Sequence, residues 1–234
     1  ELSQFRALYG QSPGVVNVAS PGVATAFFSP GDRQGARRAL KWGNKPLLLF
    51  VGRIQPLKGA DVAVRSLAEL RRKDAVLLIV GGASGTEGEI ELAHVHSLIE
   101  ELGVEGQVRF VEPQPHHILS TYYRAADVVL VPSRSESFGL VALEAAACGI
   151  PVVATGVGGL LNIVEHGRTG FLVPDRQPDV FARHIATILD DPSVATNMSA
   201  QAAEHAKAYT WSFAAARLRR AYTDLTSRDR VVCK

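Results

Sequence analysis

Five short apolar runs, interleaved with amphipathic stretches, constrain this chain more than any other feature: LLLFV at 47–51, VLLIV at 76–80, VRFV at 108–111, VVLV at 128–131 and VVA at 152–154. They are nearly continuous in apolar character, the pattern of parallel strands covered on both faces. Helix candidates lie between them at about 59–73, 89–102, 116–126 and 138–148, each long enough for a right-handed crossover between neighbouring strands. The expected fold is α/β, with a doubly wound parallel sheet. After GFLVP at 170–174, segments 178–190, 196–208 and 211–226 have helical patterns without further clear strands, so a helical tail is expected to close the chain. Ligands of such sheets sit outside the carboxyl ends of the strands. That rule places Gly52–Gly59, Gly81–Gly85, Glu112–Pro115 and Pro132–Gly139 along one functional edge.

With 47% hydrophobic and 21% charged residues, the 234-residue chain can bury a core as one domain with appendages. A formal net charge of +2, spread without blocks of like charge, gives no footprint for nucleic acid or an anionic membrane and points to small anions instead. No segment approaches about 18 uninterrupted apolar residues and the opening ELSQFRALYG lacks a basic, apolar leader, so a cytoplasmic protein with no membrane span is expected. Cys148 and Cys233 have neither framework numbers nor metal-ligand spacing and are expected to be reduced thiols. The 20 or so residues before Pro21 and Gly22 have no core of their own, and the start resembles a piece of something longer.

The first run passes into GRIQPLKG, which leaves Arg53 and Lys58 on the loop and Lys58 at the entrance to the next helix. The N-terminal end of a helix carries partial positive charge, unfavourable to a second cation by roughly 0.3–1 kcal/mol, so an anion is invited there. A diphosphate would meet both groups, with Arg53 donating paired hydrogen bonds and Lys58 acting as a point charge. The bland alternative is two solvated loop cations.

The second constellation is SESFGLVALEAAACGIPVVATGVGGL at 135–160. Ser137 reads as an N-cap, with Gly149 and Pro151 closing the helix. Leu140, Leu143 and Ala147 form its apolar face at three-and-four spacing, and Glu144 falls among them, directed toward packed material and in need of a partner. The open N–H groups of the first turn attract phosphate oxygens, and Gly139 permits close approach. Glu144 could accept hydrogen bonds from vicinal hydroxyls such as those of a ribose, or pair with a nearby Arg or Lys. Glu136 could contact a sugar, or be a solvated loop acid. Together with Arg53 and Lys58, the two acids make the set that a nucleotide sugar requires.

VGGASG at 80–85 lacks both the GxGxxG pattern and the Walker lysine and reads better as a sharp turn with close backbone approach. His94 and His96 lie two apart on a helix, His116 and His117 are adjacent, and none has catalytic zinc spacing. Tyr122, Tyr123 and Phe110 read as core or partly buried aromatics, with Phe110 preceding a loop where a base could rest.

VGRIQPLKG at 51–59, VGGASG at 80–85, the run from Tyr122 to Leu160 and HGRTGFLVP at 166–174 resemble family 4 retaining glycosyltransferases over essentially residues 15–225. The E-x7-E element from Glu136 to Glu144, with the upstream Arg-x4-Lys, is specific for the family as a set. GRIQPLK and SESFGLVA resemble those members that start mycothiol synthesis by glycosylating an inositol phosphate. The resemblance implies the C-terminal, Rossmann-like half of a GT-B fold, which binds the donor, UDP-N-acetylglucosamine, for transfer to 1L-myo-inositol 1-phosphate with retention of configuration. Arg53 and Lys58 would hold the diphosphate, Glu144 the ribose hydroxyls and Glu136 the donor sugar. Backbone from Ser137 through Phe138, Gly139 and Leu140 to Val141, with Gly52, would line the donor, and Gln114 would hold the base. Arg53, Lys58 and Glu136 would be the catalytic set. No cofactor is implied for the chemistry, but a structural magnesium on backbone groups of Tyr123, Arg124, Ala126 and Ile150 is, although a threonine is usual where this chain has Ile150.

The resemblance divides the chain into a remnant of the N-terminal domain and hinge at 1–22, a donor-binding domain at 23–192 and C-terminal helices at 193–234. The family's glycine-rich loop, a histidine near the reacting sugar and the acceptor-binding basic residues belong to an N-terminal GT-B domain, and the resemblance leads us to expect no counterpart of them within this chain. The chain alone is therefore expected to be nearly inactive, because acceptor orientation and water exclusion are lost. A homodimer is a possible state of the full-length enzyme. A UDP-sugar 2-epimerase on the same fold and a non-catalytic nucleotide-sugar sensor are the rival readings, and a dinucleotide oxidoreductase is a distant one because its glycine fingerprint is missing.

Overall fold

The computed structural model describes residues 2–10, 16 and 18–226. Cys233 and parts of the expected hinge segment and tail lie outside the described residues. β1 (Leu47–Val51), β2 (Val76–Val80), β3 (Val108–Val111), β4 (Val128–Val131), β5 (Val152–Thr155) and β6 (Gly170–Val173) form one sheet in the order β3-β2-β1-β4-β5-β6. Every neighbouring pair is parallel. The helices are α1 (Leu2–Tyr9), α2 (Arg33–Ala39), α3 (Ala60–Leu70), α4 (Gly85–Glu101), α5 (His116–Ala125), α6 (Leu140–Ala147), α7 (Leu160–Ile163), α8 (Pro178–Asp190), α9 (Pro192–Ala206) and α10 (Trp211–Thr226).

The nearly continuous apolar strands are explained by cover on both faces. Leu48, Phe50, Leu77, Ile79, Val128 and Leu130 pack with residues of α3, α4 and α8, while Leu47, Leu49, Leu78, Val80, Val129 and Val131 pack with residues of α5, α6 and α9. Each such side chain, fully withdrawn from water, contributes roughly 1.5–3 kcal/mol. The sixth strand was not among the runs expected from the sequence. β6 is an edge strand whose Phe171 and Leu172 are only half-buried, so its apolar signal is short and opens on Gly170, yet it satisfies the free edge of β5.

Three helix starts differ from expectation: α4 begins at Gly85 rather than near 89, and the other two differ for local reasons. α9 begins at Pro192 rather than near 196, because Asp191 caps it, accepting from the N–H groups of Ser193 (2.8 Å) and Val194 (3.3 Å). α6 begins at Leu140, and its N-cap is Gly139 at φ +98°, not Ser137, which is exposed. Leu140, expected on the apolar face, is 44% exposed. The other end of α6 is as expected: Gly149, at φ +73°, donates to Ala146 O (2.9 Å) and Ile150 to Ala145 O (2.9 Å), the paired bonds of a Schellman motif. Among the described residues no helix is long and apolar enough to cross a membrane.

Candidate functional site

The strand order reverses direction between β1 and β4, so crossovers on either side of that boundary leave by opposite faces and the carboxyl ends of the two strands open into a crevice. Gly52, Lys58, Ser133, Glu136 and Val141 line a cavity of about 30 Å³ there. A larger cavity, about 350 Å³, shares Val51 and Gly52 with it and runs to the ends of β2 and β3, where Arg53, Gly82, Ser84, Pro113 and Gln114 line it.

Backbone forms the floor between the two. Gly52 donates to Val80 O (3.0 Å), Ile54 to Gly82 O (2.9 Å) and Gly81 to Val111 O (2.9 Å), so the pairing continues past the named strands. A Cβ on Gly81 would sit 1.8 Å from Gly52 O, at φ +153°. The VGGASG segment is thus the close-approach turn that its missing fingerprint suggested.

Lys58 and Glu136 meet across the β1/β4 boundary, Nζ to Oε2 at 2.7 Å, with Ser133 Oγ 3.4 Å from the same oxygen. Lys58 directly precedes the N-cap of α3, Gly59, so the carboxylate supplies the anion that a cation beside a helix N-terminus invites. The loops are braced from below by Arg176, whose Nε donates to Pro132 O (2.9 Å) and whose Nη2 donates to Asp61 (3.1 Å). Gly59 is wedged between them: a Cβ there would lie 2.4 Å from Pro132 O and 2.7 Å from the Arg176 guanidinium. Arg176 was missed in the sequence; its signal was a lone arginine following the carboxyl end of the uncounted sixth strand.

Glu144 is half-buried on α6, and its partner is neither Arg nor Lys but the hydroxyl of Tyr123 on α5, which donates to Oε2 at 2.8 Å. Burial pushes the Glu144 carboxyl up from its ordinary range, while the Tyr123 hydroxyl and the nearby His116 pull it down. Burial first, and then the Glu144 charge, pushes the Tyr123 phenol well up, so it remains a donor. Tyr123 is wholly buried, as a core aromatic should be, in T-shaped contact with Phe28, ring centroids 5.7 Å apart.

Of the expected donor-binding residues, Gly52, Arg53, Lys58, Gln114, Glu136 and Val141 line the two adjoining cavities. Gln114 turns its amide N–H onto its own loop, to Glu112 O at 2.9 Å. Ser137 is exposed, Phe138 faces the ring of Tyr209 (6.1 Å) and Gly139 packs against Leu160. Leu143 N–H makes the first bond within α6, to Gly139 O (3.0 Å), which leaves the N–H groups of Leu140, Val141 and Ala142 ahead of it at the crevice. Phe110 is covered by His96, ring centroids 4.6 Å apart, rather than presented to a base. Among the described residues no group of three or more His, Cys, Asp or Glu side chains could hold a metal ion.

Arg124, Ala126 and Ile150, three of the four expected magnesium positions, line a separate cavity of about 410 Å³ at the amino ends of β4 and β5, alongside Asp127 and Cys148. Asp127 there is bonded to Arg37 (2.6 Å) and to Arg33.

Comparison with known proteins agrees with this fold. The family model "Glycosyl transferases group 1" matches residues 32–205. D-inositol 3-phosphate glycosyltransferase 2 of Catenulispora acidiphila is 46% identical over 238 residues, a match taking in 98% of this chain and 54% of that protein. Sucrose-phosphate synthase of Thermosynechococcus elongatus superposes with a TM-score of 0.88 at 32% identity, over 97% of this chain and 56% of that one. Anabaena HepE, solved in complex with UDP-glucose, superposes with a TM-score of 0.78 at 26% identity, over 88% and 56%. The chain thus spans about half the length of the curated relatives it matches. With a doubly wound sheet, a crevice at its switch point and a family match covering every strand, this chain belongs to the group 1 glycosyl transferases.

Proposed function

We propose that the crevice at the β1/β4 boundary holds the UDP-N-acetylglucosamine donor of a retaining transferase whose acceptor is an inositol phosphate. The observation that carries this reading is the convergence of Arg53, Lys58, Glu136 and the open first turn of α6 on two adjoining cavities at the switch point. The relative named for D-inositol 3-phosphate supports the acceptor, and the fold shared with a protein solved with UDP-glucose supports the donor class.

In this reading the base occupies the larger cavity beside Gln114, the ribose lies between that cavity and Glu144 on α6, and the diphosphate lies over Gly52 toward the start of α6. Departure of UDP concentrates negative charge on the diphosphate. Arg53, Lys58 and the N–H groups of Leu140 and Val141 are preorganised to stabilise it, so no metal is required for that step. Lys58 exchanges part of its bond to Glu136 for a phosphate oxygen, and Glu136 becomes available to a sugar hydroxyl. Acceptor orientation and exclusion of water fall to a second domain facing this edge, so the chain by itself binds donor and transfers little. A magnesium ion on the carbonyl oxygens at the C-terminal end of α5 and at Ile150 fits poorly, because Ala125 O already accepts from Arg37 Nε (3.0 Å) and Tyr123 O from Ala126 N–H (3.0 Å), and Arg33 and Arg124 line the adjoining cavity.

The test is calorimetric titration of UDP, GDP and UDP-N-acetylglucosamine into the chain, with Lys58→Ala and Glu144→Ala as controls. UDP binding that both substitutions weaken, with GDP weaker still, is the expected result. A folded chain that binds none of the three overturns the reading.

A further inference from the structure

We propose that Tyr123 is a positioning residue for the donor's ribose: its buried phenol holds one oxygen of Glu144 so that the other oxygen faces the vicinal hydroxyls. This rests on the reading of Glu144 given above. The terminal torsion of a glutamate is broad and roughly two-fold, so an unrestrained carboxylate presents its plane in many orientations. Here the phenol donates to Oε2 at 2.8 Å from a ring with no exposed surface. The ring is itself braced by a T-shaped contact with Phe28, centroids 5.7 Å apart, and its helix packs against α6. A rigid donor therefore sets the carboxylate plane from within the core, with Oε2 committed to it and Oε1 the oxygen left to accept from a ligand. His116, on the first turn of α5, adds an attractive charge to Glu144 when protonated. Glu144 itself lies one turn beyond the helix start and three residues after Val141, which lines the crevice.

Orientation of one acceptor predicts a selective effect. Losing it weakens recognition of the ribose hydroxyls and leaves the uracil and diphosphate contacts intact. The experiment is titration of UDP and of 2′,3′-dideoxy-UDP into wild type, Tyr123→Phe and Glu144→Ala, each taken as the ratio of the two affinities on one folded preparation, so that a change in overall stability cancels. Wild type is expected to favour UDP, Glu144→Ala to lose the preference, and Tyr123→Phe to reduce it by about three- to tenfold, the worth of one hydrogen bond. Dideoxy-UDP affinity should be unchanged in Tyr123→Phe. A wild-type ratio in Tyr123→Phe, alongside a lost preference in Glu144→Ala, overturns the positioning role and leaves the ribose reading standing. A wild-type ratio in Glu144→Ala overturns the ribose reading and this inference with it. Should Tyr123→Phe fail to fold, Phe28→Leu, which removes the ring packed against Tyr123, is read in the same way.

Discussion

Gly158 is the most exacting test of how the Glu136 loop is held. It sits at φ +52°, and a Cβ built on it would lie 2.0 Å from Glu136 O. Cβ contacts below 3.0 Å are essentially never seen, so Gly158→Ala must move the loop by at least the difference, 3.0 − 2.0 = 1.0 Å. The neighbouring bond from Gly159 N–H to Glu136 O, 2.8 Å long, goes with it. If the shift is carried to the carboxylate, its 2.7 Å bond to Lys58 opens to 2.7 + 1.0 = 3.7 Å, beyond hydrogen-bonding reach. An alanine in the left-handed region costs about 1–2 kcal/mol and the lost backbone bond about 0.5–1.5 kcal/mol. The sum, about 1.5–3.5 kcal/mol, lowers the melting temperature by about 3–14 °C for a chain of this size. Gly167 provides a matched control, because it too is left-handed, at φ +77°, but has open space where the Cβ would go. Gly167→Ala should show only the conformational part and keep donor affinity. Thermal melts and titration of UDP-N-acetylglucosamine against UDP make the comparison. Equal melting losses in the two variants, or undiminished sugar recognition in Gly158→Ala, would refute the argument.

Two further outcomes follow from the electrostatics. Burial, then His166 and Arg183, hold the His184 imidazolium pKa below its ordinary 6.5. The unfolded chain therefore takes up the proton first, and stability present above about pH 6.5 is lost as pH falls through that value toward the folded-state pKa. Melting temperatures from pH 7.5 to 5 should accordingly fall less steeply for His184→Gln than for wild type; parallel curves would show that His184 plays no part. Burial pushes the Cys148 thiol up to about 12, which leaves roughly one molecule in ten thousand as thiolate at pH 8. In a Cys233→Ser background, Cys148 should resist iodoacetamide until denaturant is added, and rapid alkylation of the folded chain would contradict its burial.

Much of the candidate site was legible in the sequence because its determinants are local. Glycines and cations following an apolar strand, and an acid followed eight residues later by another on a helix, are patterns that read directly onto the carboxyl edge. The helix starts were less legible. Ser137 has the right chemistry for a cap, but Gly139, with its backbone in the left-handed region and Leu160 packed over it, starts α6 two residues later. The partner of Glu144 was open to any donor within reach, and an aromatic already assigned to the core supplied it.

By itself the sequence determined the parallel strands and their crossovers and the edge on which the chemistry gathers, because hydrophobic period and turn residues act over a few neighbouring positions. Only the tertiary structure decided the strand order, the sixth strand and who pairs with whom. Lys58 finds Glu136 across 78 residues and Arg176 finds Asp61 across 115. Separation along the chain says nothing of such partners. They are selected when the packed sheet brings polar groups together away from water, where leaving one unpaired is costly.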